Sequence, residues 1–161
     1  MRFLTVWLLA CLLLGTPFLG SNVAELTPAE LLYLQQTEHG VLAVCDGGFA
    51  ARGETVESAV AALHDAAPGR LFLGTVDHLV VTGLTVDAAM LMELGLRPAV
   101  GVCQAERVED PDALSKYLRV HGSDVTLGML EEDTSLPVPQ LVQGETGLVL
   151  PGYYYNKEET G

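Results

Sequence analysis

The chain has 161 residues, of which 49% are hydrophobic and 18% charged, and its net charge is −13. This length fits one domain of ordinary size, and so large an apolar fraction excludes a disordered acidic polymer. The acidity argues against nucleic acid and anionic lipid headgroups as direct partners, because their phosphates would be repelled. We therefore expect one folded domain that binds no nucleic acid.

The first twenty residues form an apolar leader. Arg2 precedes the largely apolar segment 3–14, which ends at Gly15-Thr16-Pro17, and this order is typical of a secretory signal. As a helix, the apolar run to Leu19 would be roughly 25 Å long, somewhat less than the roughly 30 Å hydrocarbon core of a bilayer. Residues 1–20 are therefore predicted to be a signal peptide or a membrane anchor, and any membrane attachment is expected to pass through them.

One cysteine lies inside this leader. Leu8-Leu9-Ala10-Cys11 is similar to a bacterial lipobox, in which a small residue precedes the cysteine that is lipidated after export. This pattern makes Cys11 a candidate lipidation site. In the alternative interpretation Cys11 is an ordinary apolar residue of the leader, since the residues that follow it remain apolar.

The exported part begins with a predicted helix. Thr27-Pro28-Ala29-Glu30 has the pattern of a capping box with proline at the first helical position, and leucines follow it, so a helix is predicted over 27–36. His39-Gly40 ends this helix. The apolar segment 41–45 is predicted to be a buried strand that closes in a tight turn at Asp46-Gly47-Gly48.

Helix and strand signals alternate through the rest of the chain. Apolar residues at helical spacing with glycine or proline stops predict helices, and short apolar runs predict strands. In chain order these are a helix over 55–65, strands over 71–73 and 78–82, a helix over 85–94, a strand over 98–103, helices over 110–118 and 123–132, a strand over 147–150 and a tail over 153–161.

This alternation favours an α/β fold, a single small domain with a mixed sheet and packed helices, preceded by the signal or anchor segment. We place the α/β domain at 21–135 and a C-terminal strand and tail at 136–161.

Two cysteines belong to this domain. Cys45 and Cys103 both lie in strand-like apolar runs, so they are expected to be buried thiols or, because export permits oxidation, partners in a disulfide. The chain has no CxxC pattern with a nearby histidine, so neither a metal nor a cofactor is expected.

Two short polar segments are further candidates. Asp77-His78 has the composition of a catalytic pair, but neighbouring residues of a strand point to opposite faces, which argues against a working dyad. Cys45-Asp46-Gly47-Gly48 has the composition of a nucleophile or anion site, but it lacks the lysine of a phosphate-binding loop and so favours a plain turn. No catalytic residue is predicted.

The segments 53–60 (GETVESAV) and 69–83 (GRLFLGTVDHLVVTG) resemble the N-terminal domain of the Ger(x)C family, the C subunits of spore germinant receptors. In that family a helix opened by glycine and a hydroxyl residue is followed by an arginine, an LFLGH-like segment, a strand, a helix and a strand. The resemblance covers roughly residues 41–120 and implies a truncated or divergent relative. It implies a protein without catalytic residues that contacts protein partners, among them other receptor subunits.

We therefore expect a non-enzymatic exported or membrane-attached protein, at the outer face of the cytoplasmic or spore inner membrane, or secreted. Its contact candidates are Arg70, Phe72 and the tyrosines at 153–155. Two alternatives remain open. One is a small exported enzyme or ligand-binding domain that uses the Cys45–Gly48 turn or the Asp77-His78 pair, and the other is a secreted structural domain.

Overall fold

A computed structural model describes residues 26–144 and 147–150. Within these ranges the chain forms a five-stranded mixed sheet, two small two-stranded sheets and four α-helices, which confirms the predicted α/β fold class. The leader and the tyrosine run, on which several predictions rest, lie outside the described residues.

The strands are Leu26–Pro28 (β1), Leu31–Thr37 (β2), Gly40–Cys45 (β3), Ala50–Gly53 (β4), Arg70–Phe72 (β5), His78–Thr82 (β6), Gly101–Gln104 (β7), Val142–Gly144 (β8) and Gly147–Val149 (β9). The helices are Val56–Ala66 (α1), Ala88–Glu93 (α2), Pro111–Leu118 (α3) and Leu127–Glu132 (α4). The main sheet has the order β4-β3-β2-β6-β7. Strands β2, β6 and β7 run parallel, and β3 and β4 run antiparallel to their neighbours.

The central strand β2 occupies the segment predicted to be a helix, so that prediction was wrong. All four residues of Leu31–Leu34 are buried, and a short run buried on both faces is typical of a central strand. Thr27 does not cap a helix. Its hydroxyl donates to the Pro68 carbonyl oxygen at 2.6 Å, because residues 26–28 pair with β5.

Alternate residues of the main sheet form two apolar cores. On the first face, Leu32 and Leu79 pack with residues of α1, α2 and α4. On the second face, Tyr33 and Val80 pack with α3 and with residues next to and within β9. The sheet is thus covered on both sides, with three helices on the first face and one on the second.

The β3–β4 hairpin and the start of α1 follow from local sequence. Gly47 and Gly48 have φ values of 87° and 81°, and the Cys45 amide donates to the Phe49 carbonyl oxygen at 3.0 Å, which confirms the predicted turn. Helix α1 begins with a capping box in which the side chains of Thr55 and Ser58 each bond the backbone of the other residue. Strand β4 was not predicted.

The remaining elements differ from prediction mainly at their ends. The helix predicted over 110–118 is confirmed as α3. Helices α2 and α4 are shorter than predicted, because each begins at a later cap. Asp87 accepts from the Met90 amide at 3.1 Å, and Thr126 accepts from the Met129 amide at 3.4 Å.

The outer edge of β7 is covered by backbone from later parts of the chain. The amide of Val102 donates to the Val125 carbonyl oxygen at 2.8 Å, and the amide of Gln104 donates to the Pro139 carbonyl oxygen at 2.8 Å. The Gln104 carbonyl oxygen in turn accepts from the Leu141 amide at 2.7 Å. These bonds protect the edge from pairing with another chain.

The position of β2 generates a stability prediction. Leu34→Ala should lower the free energy of unfolding by about 2–5 kcal/mol, because Leu34 is 1% exposed at the centre of the sheet and its truncation leaves a cavity. The measurement is urea denaturation. As a control, Met129→Ala, at a residue that is 42% exposed on α4, should change stability by no more than about 0.5 kcal/mol. Equal effects of the two variants would contradict a central β2.

Candidate functional site

The polar segments singled out in the sequence meet at one edge of the main sheet, where β2 and β6 begin and β3 ends. We call the group formed by Glu30, Asp46, Asp77, His78 and Arg119 the polar cluster. The parallel register of β2 and β6 pairs Leu31 with His78, and the antiparallel register pairs Leu32 with Cys45. Residues far apart in sequence are brought together in this way.

The carboxylate of Asp46 ties the end of β3 to the start of β2. One oxygen accepts from the backbone amides of Glu30 and Leu31, each at 3.0 Å. The next amide of the turn, that of Gly47, donates to Asp112 at the start of α3 at 2.8 Å. The polar groups of this turn are therefore engaged in holding three elements together.

Asp77 and His78 share a backbone acceptor, but no hydrogen bond joins their side chains. Both of their amides donate to the Glu30 carbonyl oxygen, at 2.9 and 3.0 Å. The Asp77 carboxylate pairs with Arg97 at 2.5 Å, and Arg97 also donates to the Val76 carbonyl oxygen at 3.3 Å. Asp77 precedes β6 and is paired with Arg97, so it does not orient the imidazole.

His78 is half-buried against the end of α3. Its Nδ1 is buried, and no hydrogen-bond partner for it exists among the described residues. Burial lowers the pKa of His78, although the negative charges of Asp77, Glu30 and Asp46 act in the opposite direction, and Arg119 adds to the lowering. A neutral imidazole is therefore the form that the fold accommodates.

Glu30 and Arg119 form the second ion pair of the cluster. Their side chains are 41% and 63% exposed, so solvent screens the attraction and the pair contributes about 0–1 kcal/mol. The pair joins the β1–β2 connection to the end of α3. Its effect is mainly to position those two elements.

The two cysteines lie far apart. Cys45 is on β3 and Cys103 on β7, with β2 and β6 between them, and they belong to the cores of opposite faces. Three inter-strand spacings amount to about 14 Å, whereas a disulfide requires Cα atoms within about 7 Å. Of the two expectations for these cysteines, free buried thiols are confirmed, and a disulfide between Cys45 and Cys103 is contradicted.

Both thiols are held in the protonated form. Burial raises the pKa of Cys45 to about 11, with a further contribution from the negative charge of Asp46. Burial also raises the pKa of Cys103 to about 11. Since the thiolate is the nucleophile and the metal ligand, neither cysteine is chemically prepared for either role.

The contact candidates Arg70 and Phe72 lie together on the small parallel sheet formed by β1 and β5. In β5 the burial alternates, so that Leu71 faces the core while Arg70 and Phe72 are exposed on the other side. Phe72 is 46% exposed. Its ring lies directly over Gly74, so close that a Cβ added to Gly74 would come within 2.7 Å of the Phe72 Cζ atom. We call this exposed pair the β1–β5 surface.

Sequence reasoning missed two shallow cavities. A cavity of about 230 Å³ lies between α3 and β9, and the charged residues Arg107, Glu109 and Asp110 contribute to its lining. A second cavity, of about 220 Å³, lies at the carboxyl ends of β6 and β7. No sequence motif indicated either cavity, because both cavities depend on how the segments that follow β6 and β7 pack against the sheet.

Two features are absent from residues 26–144 and 147–150. This part of the chain holds no group of three or more histidine, cysteine, aspartate or glutamate residues placed to bind a metal ion. Among its helices, none has the length and apolar character needed to cross a membrane. The candidate lipidation site Cys11 lies outside the described residues.

The burial of His78 predicts a pH dependence of stability. The folded-state pKa is lower than the unfolded value of about 6.5. The stabilisation is therefore complete above the unfolded pKa and is lost as the pH falls through the folded pKa. Urea denaturation at a series of pH values should show that His78→Leu weakens this loss on acidification. The exposed His39→Leu is the control, and identical pH profiles for wild type and His78→Leu would refute the prediction.

The two buried thiols should not react in the folded protein. In a Cys11→Ser chain, a thiol reagent at neutral pH should label neither Cys45 nor Cys103, because both are buried and protonated. After unfolding in urea without reductant, both should be labelled. Intact mass measures the outcome, and an unfolded chain that fails to react would reveal a disulfide and a different fold.

Comparison of the chain with protein-family models, with curated proteins and with solved structures found no match. The resemblance to the Ger(x)C family therefore stays a prediction.

Proposed function

We propose that this chain is a non-enzymatic protein that acts outside the cytoplasm through protein–protein contacts, in a role similar to that of the first domain of a germinant-receptor C subunit. The observation that carries the proposal is the β1–β5 surface, on which Phe72 is 46% exposed beside Arg70. Aromatic residues and arginine are enriched at protein interfaces and dominate their binding energy. The segment that carries both residues is also the one that resembles the family.

The geometry of this surface suits a contact. Leu71 is 2% exposed and anchors β5 in the core, while the Phe72 ring rests over Gly74. A side chain held in this way loses little conformational entropy when a partner binds. The expected partner surface has an apolar socket for Phe72 and an acidic group near Arg70.

The position of the surface relative to the leader supports a partner close to a membrane. β1 begins at Leu26, six residues after the end of the predicted leader. Six residues span at most about 20 Å. If the leader is retained as an anchor, the β1–β5 surface lies within reach of the membrane proteins around it.

The alternative of an enzyme that uses the Cys45–Gly48 turn has less support. Asp46 already accepts two backbone amides, and the Gly47 amide is bonded to Asp112. The thiol of Cys45 is buried, and its pKa is raised to about 11. Using these groups in catalysis would require breaking contacts that hold the sheet together.

Photo-crosslinking in cells tests the proposal. The epitope-tagged chain carries p-benzoylphenylalanine in place of Phe72 and is irradiated in growing cells and in spores. The expected result is one discrete adduct with a membrane protein in the spore membrane fraction, and its loss when Arg70→Glu is added. The matched control carries the crosslinker in place of Met129, which is similarly exposed on α4, and should give no such adduct.

Fractionation and intact mass of the same tagged chain complete the test. A retained leader, or a lipid on Cys11, would agree with membrane attachment. Soluble protein released from growing cells, with its leader removed and no adduct at position 72, would contradict the proposal. A secreted structural domain would then be favoured.

A further inference from the structure

The connections that leave β6 and β7 depart to opposite faces of the sheet. After β6 the chain enters α2, whose Leu91 packs in the core of the first face. After β7 it enters α3, whose Leu114 and Leu118 pack in the core of the second face. Two adjacent parallel strands with such connections leave a crevice between them at their carboxyl ends. In open α/β sheets this is the usual position of a ligand.

The cavity of about 220 Å³ lies at this place. Leu84 and Val86 from the connection after β6 line it together with Gln104, the last residue of β7. Leu130 of α4, which is 5% exposed, contributes a buried apolar wall. The apolar lining residues all belong to the core of the first face, so the cavity opens on that side of the crevice.

The lining divides into apolar walls and a polar rim. The apolar lining residues are buried or half-buried, while Thr85, Gln104 and Thr134 are exposed. These three contribute two hydroxyls and one carboxamide, groups that both donate and accept hydrogen bonds. Pockets for small molecules combine apolar walls with a few polar groups in the same way.

The charges around the cavity restrict the class of ligand. No ionisable side chain lines it, and the acidic residues Asp87, Glu131 and Asp133 lie close to lining residues in sequence. An anion would be repelled by these carboxylates and would lose hydration without a counter-charge. A cation would likewise find no counter-charge in the lining itself, so the lining suits an uncharged molecule with an apolar body.

The volume limits the size of that molecule. A cavity of roughly 150 Å³ holds benzene, so about 220 Å³ holds a molecule of about nine non-hydrogen atoms. We propose that the crevice at the carboxyl ends of β6 and β7 binds a small neutral molecule with an apolar body and one hydrogen-bonding group. This site is at the opposite end of β6 from the polar cluster and does not depend on the proposed contact function.

A titration with three probes of similar size tests this assignment. The ¹⁵N-labelled full chain is titrated with p-cresol, with toluene and with benzoate, and backbone amide shifts are followed by NMR. The expected result is saturable shifts around Val86, Gln104 and Leu130 with p-cresol, weaker binding of toluene, and no saturable shift with benzoate. Shifts that are scattered over the chain and stay linear in concentration would overturn the proposal, as would preferred binding of benzoate.

Two variants and one control localise the binding. Gln104→Met keeps the size of the side chain but removes its amide, so p-cresol should bind about three- to ten-fold more weakly while toluene binding is unchanged. Leu136 also lines the cavity and is half-buried. Leu136→Trp should fill the cavity and abolish binding of both probes, and a thermal unfolding measurement checks that this variant is folded. Phe72→Ala on the β1–β5 surface should leave both affinities unchanged. Undiminished p-cresol binding by both cavity variants would overturn the assignment.

Discussion

Strand β2 is paired along both edges and buried on both faces, so the position of most other elements is set relative to it. Such a strand needs hydrogen-bond partners at its first residues, because the chain turns sharply between β1 and β2 and unpaired buried amides are costly. The Asp46 carboxylate supplies them for Glu30 and Leu31. The Glu30 carbonyl oxygen then accepts from the amides of Asp77 and of His78, the first residue of β6. One side chain and one carbonyl thus fix three strands in register.

The polar groups at the edge that looks most reactive in the sequence are mostly engaged in contacts between elements of the fold. The Asp77–Arg97 and Glu30–Arg119 pairs are largely exposed, so each contributes little to stability. The two ion pairs instead fix relative positions. They attach the connection before β7 and the segment after α3 to the start of the parallel strands β2 and β6. His78, in the middle, is kept neutral by burial. The chain has only 8 lysine and arginine residues. Two of them, Arg97 and Arg119, form these two ion pairs.

Local sequence predicted the elements whose signals are local. Helices α1 and α3 follow from capping residues and helical spacing, and β3 and β6 from short apolar runs bounded by turns. Strand β2 was mispredicted because the local signal of a capping box at Thr27 competes with burial on both faces, and tertiary packing prevails. Strand β4 has few apolar residues and exists through its pairing with β3. Asp77 lies just before β6, so its separation from His78 comes from the pairing with Arg97 and not from strand alternation. Strand order, on which a disulfide between Cys45 and Cys103 depended, cannot be read from spacing.

The two ends of the main sheet consequently differ in what they can do. At the end where β2 and β6 begin, hydrogen bonds and ion pairs join the strands to their neighbouring connections, and the β1–β5 surface lies beside it with the Phe72 ring packed over Gly74. At the end where β6 and β7 stop, α2 and α3 leave on opposite faces and keep the surface open. A side chain packed as Phe72 is loses little conformational entropy when it docks against another protein, which favours a protein contact at this end. An open apolar crevice at the other end favours a small ligand.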